Sequence, residues 1–266
     1  MGRRGTRWCP CRLEPAEHPL LGAVVASPDS DGVVLTGRLS TASQPWLADH
    51  AVGGTVLFPG TGLVDLAIAA GDQVGHGTLE ELTLEAPLVL PENGGVQVRS
   101  PLSGRVGRLR TPPVGTLYTR RRTPTSPGPA TPRASCLRCR RARLRSGVWP
   151  PRGASVVDVE GLYEGLAGAG LEYGPVFQGL TAAWRSGDDV YAEVSLPEGT
   201  EVEGFGVHPA LLDACLHAIG LRGEDEGGSA RLPFAWTGVT FHASGATRVR
   251  LRLSSAGEGA VSADRR

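Results

Sequence analysis

The sequence predicts an α+β fold in which sheet wraps around helix, and it offers that arrangement twice. Three observations predict it. Strand-like segments outnumber helical ones. Each half of the chain holds one strongly apolar helical stretch. Each of those stretches follows a proline, Pro59 in the first half and Pro209 in the second. Two copies of one supersecondary unit account for the pattern.

In the first half, Gly32–Ser40 is rich in β-branched and other strand-forming residues. Gly60–Val74 places Leu63, Leu66, Ala67 and Ala70 at helical spacing, with Thr61 the expected N-cap. Leu79–Leu90 is apolar enough for one or two strands, broken at Pro87, and Gly95–Arg99 starts another. In the second half, a short helix is expected over Val156–Ala167. Val190, Ala192, Val194 and Leu196 alternate with Tyr191, Glu193 and Ser195, the period of a half-buried strand. Pro209–Leu221 sets Leu212, Cys215, Leu216 and Ile219 on one apolar stripe, with Pro209 suited to the first turn. Val249, Leu251 and Leu253 then alternate with Arg248, Arg250 and Arg252.

A length of 266 residues suits one large domain or two smaller ones. With 40% hydrophobic and 20% charged residues, the chain is not wholly disordered. No apolar run approaches the ~20 residues of a membrane-spanning helix. Met1–Pro15 carries arginines but lacks the apolar core of a secretory signal. No membrane partner is therefore expected, and the cytoplasm is the expected compartment. Five cysteines in so long a chain do not make a disulfide scaffold. Cys9-x-Cys11 and Cys136-x-x-Cys139 resemble halves of zinc sites without the remaining ligands, so no metal is expected.

The formal net charge is zero, and it conceals an uneven chain. Every cation is arginine. Ser100–Ala154 holds thirteen arginines, nine prolines and no carboxylate, leaving 14 arginines against all 27 acids elsewhere. That density of proline opposes regular helix or sheet. The stretch is expected to be irregular and free of strands. It reads as a nucleic-acid-binding arm, as a disordered linker, or as the product of a reading-frame slip in GC-rich coding sequence. Few aromatics interleave its arginines for base stacking, so nucleic acid is not the expected partner. The expected organisation is an atypical segment over 1–15, a partial first unit over 16–99, the irregular segment over 100–154 and a truncated second unit over 155–266.

Two histidine groups carry the chemistry. His50 precedes the glycine-rich turn Gly53-Gly54, which leads through Pro59 into the first helix. Glycines let a ligand approach the backbone, and a helix N-terminus offers unpaired N–H groups to a developing oxyanion. An ordinary turn histidine fits the same residues. In the second group, His208-Pro209-Ala210-Leu211-Leu212-Asp213-Ala214-Cys215-Leu216-His217, Asp213 and His217 stand four apart and share one helix face beside the apolar stripe. A carboxyl held against an apolar face resists ionisation, which suits a general acid. An exposed polar pair is the alternative.

These residues resemble a known family. His50-x-x-x-Gly54-x-x-x-x-Pro59 is similar to the HxxxGxxxxP motif of dehydratase domains from modular type I polyketide synthases. His18-Pro19-Leu20-Leu21-Gly22 resembles the usual opening of that domain. Tyr173-Gly174-Pro175-Val176-Phe177 resembles its GYxYGPxF motif, with Leu171-Glu172 departing from it. Asp213-x-x-x-His217 resembles DxxxQ/H, and Leu232-Pro233-Phe234-Ala235-Trp236 resembles LPFxW.

The resemblance implies a double hotdog: two fused units, each a curved antiparallel sheet around a central helix, here expected to be incomplete. It implies dehydration of a β-hydroxyacyl thioester on an acyl carrier protein to the α,β-unsaturated thioester, by syn elimination of water. His50 would remove the α-proton and Asp213 would protonate the departing hydroxyl. His217 would orient Asp213, Tyr173 would help place the hydroxyl, and Gly54 would offer its N–H to the thioester carbonyl, with Pro59 completing the motif. The implied partners are the acyl carrier protein, whose phosphopantetheine arm carries the substrate, and neighbouring synthase domains, with a homodimer allowed. No cofactor is implied for the domain itself. A non-catalytic double-hotdog fragment of a synthase is the alternative, and an arginine-rich RNA-binding protein a third.

Overall fold

A computed structural model of the chain describes residues 14–26, 33–73, 75–84, 86–103, 114–115, 118–121, 148–222, 235–257 and 260–265. The first half runs β1 (Glu14–Pro15), β2 (Ala23–Ala26), β3 (Val33–Leu39), β4 (His50–Val52), β5 (Thr55–Val56), α1 (Gly60–Asp72), β6 (Thr78–Thr83), β7 (Val96–Ser103), β8 (Val114–Gly115) and β9 (Tyr118–Arg121). The second runs β10 (Ser155–Val157), α2 (Leu162–Gly168), β11 (Leu171–Tyr173), β12 (Leu180–Ser186), β13 (Asp189–Ser195), α3 (Pro209–His217), β14 (Ala235–Thr240), β15 (Arg248–Gly257) and β16 (Ala260–Arg265).

Each half builds one antiparallel sheet on one apolar helix, the double-hotdog arrangement. In the first, β1, β2, β3 and β7 pair in that order, and β8 and β9 both pair with the far side of β7. Leu35, Leu39, Val96 and Val98 meet Leu63, Leu66 and Ala70 of α1 in its core. In the second, the order is β10, β12, β13, β15, β16. Val190, Ala192 and Val194 of β13 face Leu253, Leu251 and Val249 of β15 across the ladder. They pack on Leu211, Ala214 and Cys215 of α3. Burying each such Leu or Val stabilises the fold by about 1.5–3 kcal/mol.

The halves are interlocked by shared pieces of sheet. β11 of the second half pairs with β4, which also pairs with β5, and β14 of the second half pairs with β6. The two central helices pack together. Val64 and Ile68 of α1 join Trp236 and Val239 of β14 in a third cluster.

Four expectations need correction. Thr61 does not cap α1: Pro59 holds that position, and the buried Thr61 hydroxyl donates instead to the Pro209 carbonyl at 3.0 Å, tying the two helix starts together. The helix expected over Val156–Ala167 begins only at Leu162, because Val156 and Val157 pair with Trp184 and Ala183 as part of β10. Tyr191, on the outward-facing period of β13, is nevertheless buried, with Trp149 lying across it at 5.6 Å between ring centroids. Finally, strands do enter the arginine-rich stretch. β7 continues to Ser103, and β8 and β9 pair with it at Leu102–Ser103 and Val96–Arg99. Pro101 falls between those two contacts, where β7 has no partner on that side among the described residues, so its missing N–H breaks no bond there. The cysteine pairs, most of the arginine cluster, and Leu232–Phe234 of the last motif lie outside the described residues.

Candidate active site

His50 is the first residue of β4, and a tight hairpin fixes it. Ala51 pairs with Val56 and Val52 with Thr55, which leaves Gly53 and Gly54 as a two-residue loop. Both have positive φ, +55° and +72°, the requirement of the turn that suits the twist of such hairpins. A side chain at either position would be strained, so the motif's Gly54 and its neighbour Gly53 both serve to close this turn. The same ladder sets His50 opposite Leu57. The Leu57 N–H donates to the His50 carbonyl at 3.0 Å, and the His50 ring bonds the Leu57 carbonyl through Nδ1 at 2.9 Å. A carbonyl can only accept, so Nδ1 carries the proton. Nε2 of the uncharged ring is then a free lone pair.

That lone pair points across the interface between halves. His50 Nε2 lies 3.9 Å from Asp213 Oδ2, beyond hydrogen-bond range but near enough to serve the same small group. Asp213 sits in the middle of α3 with His217 one turn on, and His217 Nε2 bonds Asp213 Oδ2 at 3.2 Å. All three side chains are at least nine-tenths buried.

Tyr173 reaches the pair through strand register. In the β4–β11 ladder it lies directly opposite His50. Its ring approaches the His217 ring to 4.2 Å and the His50 ring to 5.6 Å between centroids. Burial, reinforced by the Asp213 charge, raises its phenol pKa above the ordinary value, so the hydroxyl keeps its proton. The following Gly174 lets β11 close on the turn before β4. Its N–H donates to the Asp49 carbonyl at 2.8 Å, and a Cβ there would fall 2.4 Å from the Asp49 carboxylate. Asp49 Oδ2 accepts from the Val176 N–H at 3.0 Å, and the fully buried Phe177 lies 5.1 Å from the His50 ring.

The structure thus brings His50, Asp213, His217 and Tyr173 together. Pro59 stands just before α1, and its carbonyl accepts from the Gly62 N–H at 3.0 Å. Gly54 is one turn away from His50, and its N–H donates to Glu172 Oε2 at 3.2 Å. Sequence reasoning missed Tyr163, Asp49, Glu172 and the Leu57 carbonyl. Asp49, adjacent to His50, carried a local signal, and Glu172 stood out only as part of a departure from the GYxYGPxF motif. Tyr163 joins His217 from 54 residues away. Among the described residues, no group of three or more histidines, cysteines and carboxylates could hold a metal ion.

The two sheet-on-helix halves, with a His–Asp pair facing across them, define a class, the double-hotdog domain. A family model described as polyketide synthase dehydratase domain matches residues 18–111, and one described as polyketide synthase dehydratase N-terminal domain matches 141–265. The chain is 52% identical to polyketide synthase GfsA of Streptomyces halstedii over 93% of its length, and 51% identical to mycoketide-CoA synthase of Mycobacterium tuberculosis over 95%. It spans only 3% and 6% of those two relatives. Among solved structures, the dehydratase domain from the terminal module of the rifamycin polyketide synthase is 41% identical with a TM-score of 0.83, over 96% of this chain and 92% of that one. The chain belongs to the dehydratase-domain family of modular type I polyketide synthases.

Proposed function

We propose that this domain removes water from a β-hydroxyacyl thioester held on the phosphopantetheine arm of an acyl carrier protein, giving the α,β-unsaturated thioester. The observation that carries the reading is the free His50 Nε2 lone pair 3.9 Å from a buried Asp213 carboxyl. An α-proton beside a thioester is weakly acidic, so its removal needs a positioned base. His50 takes that proton, the C–H electrons form the Cα–Cβ double bond, and the Cβ–O bond breaks as Asp213 delivers a proton to the departing oxygen. Water leaves, His50 is protonated and Asp213 is ionised. A net proton transfer from His50 to Asp213 resets the pair. Base and acid reach adjacent carbons from one side, which favours syn elimination. Tyr173, kept protonated by burial, is a donor for the substrate hydroxyl.

The chemistry requires no cofactor beyond the carrier arm, and the proposed partners are the carrier protein and adjacent synthase domains. No helix among the described residues is long and apolar enough to cross a membrane. A second reading, a double hotdog without activity, is favoured by one feature. The Gly54 N–H that would meet the thioester carbonyl is occupied by Glu172. Incubation with a β-hydroxyacyl N-acetylcysteamine thioester separates the two. Appearance of the conjugated thioester supports dehydration; none from folded protein supports the inactive reading.

A further inference from the structure

Tyr163 stands in α2, outside every motif that carries the family resemblance, yet its hydroxyl ends in the site. The Leu180 N–H donates to it at 2.9 Å. Two acceptors compete for its single proton: the Phe177 carbonyl at 3.5 Å and His217 Nδ1 at 3.4 Å. Its ring meets the His217 ring edge-on at 5.6 Å. Burial pushes its phenol up to about 12, so the group stays a donor.

The two choices have opposite consequences for Asp213. If the hydroxyl donates to Phe177, His217 Nδ1 must be the protonated nitrogen of the uncharged ring in order to bond Tyr163. Its Nε2 lone pair would then face Asp213 Oδ2 at 3.2 Å. That opposes the carboxylate left after proton delivery. If the hydroxyl donates to Nδ1, Nε2 carries the proton and supports Oδ2 in both protonation states of the acid.

We propose that Tyr163 is a positioning residue for the dehydration: it donates to His217 Nδ1, fixes Nε2–H as the donor to Asp213 Oδ2, and so leaves the transferable proton on Oδ1. This rests on the dehydratase reading, and the test keeps the two apart. Nitrogen NMR of the whole chain with ¹⁵N-labelled histidine reads the His217 tautomer whether or not the domain turns over. In the unmodified protein His217 is expected in the Nε2–H form. Tyr163→Phe should populate the Nδ1–H form. It should also lower kcat by roughly tenfold, the order of one lost hydrogen bond, with KM moving less than about twofold. A purely structural tyrosine would lower stability without changing the tautomer. Finding Nδ1–H in the unmodified protein overturns the proposal even if Tyr163→Phe fails to fold. So does a Tyr163→Phe protein that keeps both Nε2–H and kcat. Absence of any dehydration by the unmodified chain sinks the dehydratase reading alone, and the tautomer still decides the role of Tyr163.

Discussion

Among the described residues, each central helix carries one buried aspartate beside histidine, and the two sites are built for opposite ends. On α1, Asp65 Oδ2 bonds His18 Nε2 at 2.7 Å, while its Oδ1 accepts from the Gly206 and Val207 N–H groups at 3.1 and 3.2 Å. His18 Nδ1 accepts from the Leu20 N–H at 3.2 Å. Both ring nitrogens are used, and the pair ties the opening segment, α1 and the approach to α3 into one knot. On α3, Asp213 has one hydrogen-bond partner among the described residues, His217, and His50 faces it with an unused lone pair. A cavity of about 580 Å³ opens beside His18 and Asp65, bordered by Phe205, Phe241, Glu203 and Asp72. Yet in the first pair both histidine nitrogens and three of about four carboxylate lone-pair sites are already taken. Reactivity follows unspent hydrogen-bonding capacity, which neither residue type nor pocket volume reveals.

The largest expected effect tests the open pair. His50→Ala or Asp213→Asn should slow dehydration by about 100- to 10,000-fold, the worth of positioned acid–base groups, in a steady-state thioester assay. Retention of more than about a tenth of the rate by His50→Ala contradicts its role as base. The closed pair should respond in stability instead. Asp65→Ala strands the His18 Nε2–H and two backbone donors, and each buried donor left unsatisfied costs about 1–3 kcal/mol, read in a denaturant titration. Activity per folded molecule should fall far less than with His50→Ala. An unchanged unfolding midpoint with activity lost would reverse the assignment of the two pairs.

How much of this the sequence carried depends on the range of the interaction. Leu63 and Leu66, or Val190 and Leu251, announce themselves by period, because one buried face dictates spacing along the chain. The Gly53-Gly54 turn is legible for the same local reason. Val156–Val157 was not, since a short apolar run suits helix or strand until a partner such as Trp184–Ala183 is present. The strands β8 and β9 in the arginine-rich stretch depend likewise on β7. Composition there argues against regular structure, and it is silent about a waiting sheet edge. In the site, the family motifs point to His50 and Asp213. The tautomer of His50 depends on Leu57, which only the hairpin register brings near. Tyr163 had no sequence signal at all, because its place is set by α2 packing on β11.

A fourth histidine separates holding from reacting. His208 caps α3, its Nδ1 accepting from the Ala210 N–H at 3.2 Å, and it is 1% exposed between Trp46 and Phe205. Burial lowers its pKa to about 4, against about 6.5 when unfolded. Between those values the unfolded chain binds a proton that the folded chain refuses. Stability from this group is therefore full above pH ~6.5 and is lost as pH falls toward 4, by about 3 kcal/mol in all. His208→Asn keeps a capping oxygen but no imidazole, so it should flatten that part of the stability–pH curve in denaturant titrations. An unaltered slope would mean that His208 already takes up its proton in the folded state.

The smallest effect probes the edge of the open pair. His217 gives Asp213 one hydrogen bond, at 3.2 Å. In the resembling motif, DxxxQ/H, glutamine takes the same position. Its amide N–H can donate to the carboxyl without any choice of tautomer. His217→Gln should therefore slow dehydration by only about fivefold, the ~1 kcal/mol of one altered hydrogen bond. Asp213→Asn differs in kind, since an amide cannot deliver the proton. A His217→Gln rate as low as that of Asp213→Asn would mean that His217 itself passes a proton. The reacting group would then be three residues, with Tyr163 Oη at 3.4 Å the next link behind it.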